Sequence, residues 1–329
     1  MNSFQSITVV VPVFNEESGI EKFVTVLFNE LDKISLNSDV ILVNDGSIDS
    51  TAEKLNSLQE LFSERLTILH FSRNFGHQAA LTAGMDESTG DAVITLDADM
   101  QHPPSLIPLL VDKWKEGADV VQTIRQDSKQ ATFLKKFTSK YFYNTINFLS
   151  STRIEPAAAD FRLLSRAVVN VFKYDIRERD RFMRGLVAWV GFKTELVPFT
   201  APPRFAGTTK YTWNKMFSFA RVGLVSFSRV PLKISIWLGV ILSGMSIFYG
   251  LYAIYANFYL RNLLNPGWAS IIVSVTFLGG CQMVFMGLIG EYISTIFDEI
   301  KARPIYIISK KKIKTVVDHA PVISRCKSS

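Results

Sequence analysis

Two long stretches without a charged residue lie in the C-terminal third of the chain. Residues 234–260 and 262–290 hold no Lys, Arg, Asp or Glu over 27 and 29 positions, respectively. A helix rises about 1.5 Å per residue, so about 20 residues cross the hydrocarbon core of a bilayer. A buried helix of a soluble protein rarely needs this length twice in succession. We therefore predict transmembrane helices over residues 234–260 and 267–292.

The connection between the two spans predicts their arrangement. It is short and ends in the breaker pair Pro266-Gly267, which favours an antiparallel hairpin. Basic residues flank the outer ends of the hairpin, while the connection holds only Arg261. By the positive-inside rule, we expect an integral protein of the plasma (inner) membrane with both termini and the N-terminal domain in the cytoplasm. The flanking basic residues are Arg221, Arg229, Lys233, Lys301, Arg303, Lys310, Lys311, Lys312 and Lys314.

The net charge of +6 is a sum of opposed regions. Residues 1–128 carry −12, residues 129–233 carry +13, residues 234–300 carry −2 and residues 301–329 carry +7. The positive charge lies next to the predicted spans, where it suits anionic lipid, and we expect no nucleic-acid partner. A hydrophobic content of 48% excludes a disordered chain, and two cysteines exclude a disulfide framework.

Residues 208–233 mix apolar and basic side chains at helical spacing. This pattern favours amphipathic juxtamembrane helices on the membrane surface. A helix packed on the soluble domain has the same pattern and stays open as an alternative. We assign residues 293–329 to a basic cytoplasmic tail.

The N-terminal region alternates apolar β-type runs with segments of helical period. The predicted strands cover residues 7–13, 39–43, 66–71, 91–96 and 119–124, and helices are predicted within 16–36 and 51–62. This order predicts an α/β fold with a doubly wound, Rossmann-like sheet. Its ligand should lie beyond the carboxyl ends of the strands. Neither G-x-G-x-x-G nor a P-loop motif occurs, which disfavours dinucleotide enzymes and P-loop NTPases.

Acidic and amide side chains follow the predicted strands. Asp97, Asp99 and Gln101 come directly after the fourth strand and offer the oxygen ligands that hard divalent cations prefer. A lone D-x-D is common, so a role of the two aspartates as turn caps stays open as the alternative. Asp45 and Asp49 follow the second strand, where we expect Asp45 to accept a hydrogen bond from a base or ribose and Asp49 to cap the next helix.

The ordered motifs resemble glycosyltransferase family two, which has the GT-A fold. More narrowly, they resemble polyprenyl-phosphate glycosyltransferases, a group that includes dolichol-phosphate mannose synthases and bactoprenol glucosyltransferases. The resemblance covers about residues 5–315, and residues 1–207 form the GT-A domain that it implies. The motifs are VPVFNEE (11–17), VNDGSIDST (43–51), SRNFGHQAA (72–80), DADMQ (97–101), DFRLL (160–164), RFMRG (181–185) and RFAGTTKY (204–211).

The resemblance implies roles for individual residues. Separate groups of residues would contact the nucleotide-sugar donor, the metal-bound diphosphate and the lipid phosphate. The cofactor implied is Mg²⁺ or Mn²⁺. The implied donor contacts are Pro12, Phe14, Asn15, Glu16, Asp45, Gly46, Ser47, Arg73, Asn74 and Gly76. The implied metal ligands are Asp97, Asp99 and Gln101; the catalytic group is Asp97, Asp99, Asp160 and Arg162; the acceptor-phosphate cations are Arg125, Arg204 and Lys210.

The function implied is inverting transfer of a hexose to a polyprenyl phosphate such as undecaprenyl phosphate. Glucose from UDP-glucose is the leading donor, and GDP-mannose is the alternative. Many relatives have an acidic residue where this chain has Ala157. Ala157 is either an inactivating substitution or natural divergence for which Glu155 or Asp160 compensates. A catalytically impaired scaffold with membrane-anchored helices is therefore the rival from a different class.

Glycines recur in both predicted spans. Small residues let helices approach closely, so a homo-oligomer is expected, without a predicted order. These glycines are Gly239, Gly244, Gly279, Gly280, Gly287 and Gly290.

Overall fold

The computed structural model describes residues 6–126, 155, 158–179, 181–200, 230–259 and 267–313. They fall into two compact units. The sheet unit comprises the described residues up to Thr200 together with residues 304–313, and the helical unit comprises residues 230–259 and 267–303. The predicted juxtamembrane helices lie outside the described residues, apart from residues 230–233.

The sheet unit is built on eight strands in the order β7-β5-β6-β4-β1-β2-β3-β8. Strands β1 to β4 are mutually parallel, whereas β6 runs antiparallel between β4 and β5, β7 pairs parallel with β5, and β8 pairs antiparallel with β3. The strands are Ser6–Val13 (β1), Asn37–Asn44 (β2), Leu66–Phe71 (β3), Ala92–Thr95 (β4), Val120–Gln126 (β5), Ala158–Ser165 (β6), Thr194–Thr200 (β7) and Ile308–Lys312 (β8).

Helices cover both faces of this sheet. The sheet-unit helices are Ile20–Leu31 (α1), Thr51–Leu61 (α2), His77–Glu87 (α3), Ile107–Lys115 (α4), Arg166–Asn170 (α5) and Met183–Trp189 (α6). A 3₁₀ turn, Pro104–Leu106, precedes α4, and one π turn, Val171–Asp175, follows α5. Successive strand side chains point to opposite faces. Val9 and Val11 of β1 accordingly join the core with α1, α2 and α4, whereas Val10 faces α3.

Helix α3 packs unusually close to β1 because its inner face carries small residues. Ala80 and Ala83 are fully buried, and a Cβ built on Gly84 would lie 2.1 Å from Cγ1 of Val10. Valine is stiff about χ1, so its side chain has little room to move away. Gly84 therefore sets the distance between α3, which begins at the candidate site, and the sheet.

The five predicted strands are all present, with bounds that differ by at most two residues. The first helix is shorter than the predicted segment, because the chain turns at residues 15–19 before α1 begins at Ile20. Strand β8 was not predicted. Its sequence ISKKK lies within the range assigned to a basic tail, since a run of lysines is typical of a solvated segment.

The helical unit contains two long helices, Val230–Tyr259 (α7) and Trp268–Ile300 (α8). Within the described residues, Val273–Ile300 is long and apolar enough to cross a membrane, and none of it is buried. The apolar part of α7 that meets the same composition test, Ser235–Tyr249, is shorter. The span over 234–260 and the hairpin therefore stay predictions. Cβ atoms built on the six glycines would meet no described atom within 4 Å, so helix association also stays a prediction.

We expect Gly84→Ala to lower the free energy of unfolding by about 1–3 kcal/mol, because the added methyl group overlaps Val10. Urea denaturation of the detergent-solubilised chain, followed through the buried Trp114, measures the change. Val10→Ala in the Gly84→Ala background should recover part of the loss. Gly19→Ala, where a Cβ meets nothing within 4 Å, is the control. If the losses of unfolding free energy from Gly84→Ala and Val10→Ala simply added in the double variant, the predicted clash between residues 84 and 10 would be contradicted.

Candidate functional site

The loops that follow β1 and β2 brace each other at the carboxyl edge of the sheet. The Asn15 backbone N–H donates to Ser47 Oγ (3.0 Å), and the Ile48 N–H donates to Asn15 Oδ1 (3.0 Å). The Ser47 N–H in turn donates to Asn44 Oδ1 (3.0 Å). Asn15 has a positive φ of 53°, which asparagine tolerates better than most residues. These bonds bring together Asn15 and Ser47, two of the predicted contacts of the nucleotide-sugar donor.

The loop after β3, residues 72–76, is held against the loop after β2. The Asp45 carboxylate is buried and accepts the N–H groups of Phe75 (2.7 Å) and Gly76 (3.0 Å). Burial raises the pKa of Asp45, and the two backbone donors oppose that rise. A Cβ built on Gly46 (φ 67°) would lie 2.5 Å from the backbone carbon of Arg73, so only glycine fits. Asp45 thus fastens the β3–α3 loop; its predicted contact with a nucleoside stays a prediction.

Other residues that are predicted to contact the nucleotide-sugar donor lie along the same carboxyl edge of the sheet. Pro12 is buried in β1 beside Val43 of β2, and Phe14 follows the strand. The Glu16 N–H donates to Thr51 Oγ1 (2.9 Å). Asp49 Oδ1 accepts the N–H of Thr51, the first residue of α2 (3.1 Å), but Ser50 occupies the N-cap position. The prediction that Asp49 is the N-cap is therefore wrong by one residue.

Asp97, Asp99 and Gln101 lie on one tight turn after β4. The Asp97 N–H donates to Nδ1 of the buried His102 (3.0 Å), and Asp99 Oδ1 accepts the Gln101 N–H (3.0 Å). Met100 between them has a positive φ of 61°. The side chain of Gln101 reaches the end of β5, where its Oε1 accepts from Arg125 Nη1 (3.1 Å). A predicted metal ligand and a predicted phosphate cation are therefore in direct contact.

A buried ion-pair group lies beside this turn. Asp160 on β6 is paired with Arg162 Nη2 (2.5 Å) and Arg184 Nη2 (3.0 Å). Burial alone would raise the pKa of Asp160, but Arg184, Arg162 and His77 outweigh it and hold the pKa well below its ordinary value. The carboxylate is thus ionised at neutral pH and a weak proton acceptor.

His77 links the two acidic groups. Its Nε2 lies 3.5 Å from Asp97 Oδ1 and 3.9 Å from Asp160 Oδ2. The first turn of α3 places it there, and Arg181 ties α3 to the turn before α6 by donating to Thr82 Oγ1 (2.9 Å). One cluster therefore forms from residues of the turn after β4, of β6, of α3 and of α6. It comprises Asp97, Asp160, Arg162, Arg184 and His77.

The residues present fit a divalent cation at the Asp97–Gln101 turn. Oδ1 of Asp97 is buried and accepts no hydrogen bond from the described residues, which is the state of a ligand oxygen. The amide oxygen of Gln101 has two lone pairs, so its bond from Arg125 leaves one. No group of three or more His, Cys, Asp or Glu suited to a metal occurs among the described residues. A cation here would accordingly depend on two aspartates and an amide.

Three of the named positions, Ala157, Arg204 and Lys210, lie outside the described residues. Two residues of the cluster, His77 and Arg184, were absent from the predicted site. Both belong to motifs that had been noticed, SRNFGHQAA and RFMRG. Their basic side chains within these motifs were the available signal.

Asn44 and His70 form a buried pair beneath the loops. Asn44 Oδ1 accepts the Ser47 N–H, so its Nδ2 donates to His70 Nδ1 (3.1 Å). Nδ1 can accept only when the imidazole is neutral with its proton on Nε2. Burial lowers the pKa of His70, and Lys310 and Lys312 of β8 lower it further.

Comparisons with known proteins add to this geometry. The family model described as Glycosyl transferase family 2 matches residues 8–172, and one described as GtrB C-terminal hairpin matches residues 230–296. The chain is 41% identical to a prophage bactoprenol glucosyl transferase homolog of Escherichia coli K12, over 93% of this chain and 99% of that protein. It is 40% identical to the bactoprenol glucosyl transferase of Shigella phage SfX over the same shares.

Two further proteins are similar to this chain: one whose name gives no substrate, and one with a solved structure but a distant sequence. An uncharacterized glycosyltransferase of Synechocystis is 42% identical over 92% of this chain and 94% of its own length. A crystal structure of glucosyl-3-phosphoglycerate synthase from Mycobacterium tuberculosis is 18% identical, with a TM-score of 0.44 over 68% of this chain and 79% of that chain.

We expect Asp160→Asn to destabilise the sheet unit by about 3 kcal/mol, because it leaves the guanidinium of Arg162 buried with a neutral neighbour. The shift of the urea midpoint measures this loss. Asp32→Asn removes the partner of Arg65 at the exposed surface and serves as the matched control. An equally small change in both variants would show that the buried pair is not needed for stability.

We expect the stability of the sheet unit to fall as pH drops below about 6.5, the ordinary pKa of histidine. The pKa of His70 is lower in the folded chain, so the unfolded chain takes up the proton first. The stabilisation by neutral His70 is therefore present above pH 6.5 and is lost below it. Thermal unfolding of the wild type and of His70→Gln at pH 7.5 and 5.5 measures the difference. Parallel pH profiles for the two proteins would refute this role of His70.

Proposed function

The chain belongs to glycosyltransferase family 2, and we propose that it transfers glucose from UDP-glucose to a polyprenyl phosphate such as undecaprenyl phosphate. One observation carries the proposal: Arg125 donates a hydrogen bond to Gln101 of the Asp97–Gln101 turn, so a predicted phosphate cation adjoins a candidate metal site. Relatives about 40% identical over nearly the whole chain are named bactoprenol glucosyl transferases, which supports glucose and the lipid acceptor. No feature of the site favours GDP-mannose.

Asp97, Asp99 and Gln101 are the residues that would hold Mg²⁺ or Mn²⁺. When bound, the cation neutralises negative charge on the departing diphosphate. Asp97 is suited to this because its buried Oδ1 accepts no hydrogen bond from the described residues.

The acceptor itself simplifies the chemistry. A phosphate monoester has a second pKa of about 6, so the lipid phosphate is largely dianionic at neutral pH and needs no general base. One of its oxygens forms a bond to the anomeric carbon from the face opposite UDP, while the bond from that carbon to the diphosphate oxygen breaks. The nucleophile already carries the negative charge, and UDP leaves with the bonding electron pair. The protein's task is to align the two phosphates.

The described arginines are suited to that alignment. Guanidinium groups bind phosphate oxygens through paired donors in a fixed plane. Arg125 is exposed at the end of β5, and Arg184 is partly exposed at the start of α6. Asp160, whose pKa is held low, keeps Arg162 and Arg184 oriented instead of accepting a proton. Arg204 and Lys210 stay predicted acceptor contacts.

The membrane assignment extends the same proposal. The match to a hairpin family model over residues 230–296 supports two membrane helices, and α8 contains a span of sufficient length. With the basic residues outside the hairpin, the catalytic unit and both termini face the cytoplasm. The lipid phosphate would then be used at the cytoplasmic leaflet.

The test is transfer of labelled glucose from UDP-glucose to undecaprenyl phosphate by the full chain in lipid nanodiscs. We expect product with Mg²⁺ or Mn²⁺, none with EDTA, and no transfer from GDP-mannose. Asp99→Ala should reduce the rate by about 100-fold or more, because the loss of one metal ligand weakens charge stabilisation at the leaving group. Asp112→Ala on the exposed face of α4 is the matched control.

Two outcomes would contradict the proposal: mannosyl transfer without glucosyl transfer, or full activity of Asp99→Ala. Ala157→Asp in the same assay separates the two interpretations of that position. A large gain in rate would identify Ala157 as inactivating, and an unchanged rate would identify it as natural divergence.

A further inference from the structure

The segment that follows α8 is part of the sheet unit. Residues 304–313 include β8, which pairs antiparallel with β3 through His70 opposite Lys310. Ser309 Oγ donates to the His70 carbonyl (3.1 Å), and the Ser72 N–H donates to the Ile307 carbonyl (3.0 Å). These last two bonds reach the end of β3 and the first residue of the β3–α3 loop. The segment therefore borders the loop that carries Arg73, Asn74 and Gly76.

Tyr306 extends this contact through its ring. The ring stacks on Phe71 with centroids 5.4 Å apart and planes within 7°. Phe71 meets Phe75 edge-on at 5.6 Å, and the Phe75 N–H is the donor that Asp45 binds. An aromatic row thus runs from Tyr306 through Phe71 to Phe75 of the β3–α3 loop.

The hydroxyl of Tyr306 makes a second link. It donates to Asp86 Oδ2 (2.8 Å), and Asp86 also pairs with Arg177 (2.8 Å). Asp86 is in the last turn of α3, whose first residue is His77 of the charged cluster. Lys311 pairs with the neighbouring Glu87. Burial and the nearby Asp86 raise the pKa of Tyr306, so its hydroxyl stays protonated as a donor at neutral pH.

Tyr306 lies outside the strand ladder. Strand β8 begins at Ile308, and the ladder bonds need only backbone groups. The side chain takes no part in the ladder, and it contacts the last residue of β3, next to the loop, and the last turn of α3.

We propose that Tyr306 is a positioning residue for the nucleotide-sugar donor, fixing the β3–α3 loop through its stack on Phe71 and its bond to Asp86. The inference rests on the proposed function, because it takes residues 72–76 as part of the donor site. Tyr306 does not touch the donor. The chain after the last membrane helix thereby becomes part of the apparatus that binds UDP-glucose.

The test compares the wild type, Tyr306→Leu, Tyr306→Phe and the control Ile313→Ala as full chains in nanodiscs. Ile313 is in the same segment with an exposed side chain. We expect Tyr306→Leu, which loses the stack and the hydrogen bond, to raise the UDP-glucose KM and Kd about tenfold. Tyr306→Phe keeps the stack and should raise them about threefold, as expected for one lost hydrogen bond. The kcat and the KM for undecaprenyl phosphate should stay within twofold of the wild type.

A purely structural role would act differently, by reducing the folded fraction or raising both KM values together. If the folded fraction of Tyr306→Leu shows both KM values raised together, or binds UDP-glucose as the wild type does, the inference is overturned. If Tyr306→Leu does not fold, Tyr306→Phe decides: a raised donor KM alone supports the inference, and unchanged donor binding overturns it. If the wild type bound no UDP-glucose, the proposed function would fail. Tight binding by both wild type and variants would contradict only the role of Tyr306.

Discussion

A single ionised carboxylate, Asp160, organises the charged centre of the molecule. It is buried on β6, the antiparallel strand that joins the parallel strands β4 and β1 to β5 and β7. A charge in this position is tolerated only when its neighbours compensate for the lost hydration, and Arg162 and Arg184 do so. The same pairing fixes the orientation of Arg184 on α6, so the stability of β6 and the geometry of the site depend on one interaction.

The surrounding loops are held by a different interaction: side-chain oxygens accept hydrogen bonds from the backbone N–H groups of the loops. Asn44, Asp45 and Ser47 each satisfy backbone N–H groups that no strand or helix could pair. Irregular backbone near a ligand site loses its bonds to water once the ligand covers it, so preformed partners lower the cost of binding. The loops are thus positioned before the donor arrives.

The strand pattern and the Asp97–Gln101 turn were predictable because apolar runs and acidic strand exits are local signals. The ionic cluster was less accessible, since Asp160 and Arg184 lie 24 residues apart and meet only through the packing of α6 beside β6. Arg162, which the resemblance places in the catalytic group, is a fully buried partner of Asp160, and a part in the reaction stays a prediction for it. The role of Asp45 likewise depends on a loop contributed by another strand. Strand β8 was not predicted because its three consecutive lysines are typical of a solvated segment and not of a strand.

The pairing of β8 with β3 also constrains the order in which the chain can be completed. Ser309 is separated from His70 by 239 residues, and both long helices lie between them. During synthesis the edge of β3 therefore stays unpaired until the helical unit has been made, and open strand edges favour association with other chains. Short β8, rich in lysine, closes that edge last. A finished sheet would consequently mark a chain whose two long helices have already left the ribosome.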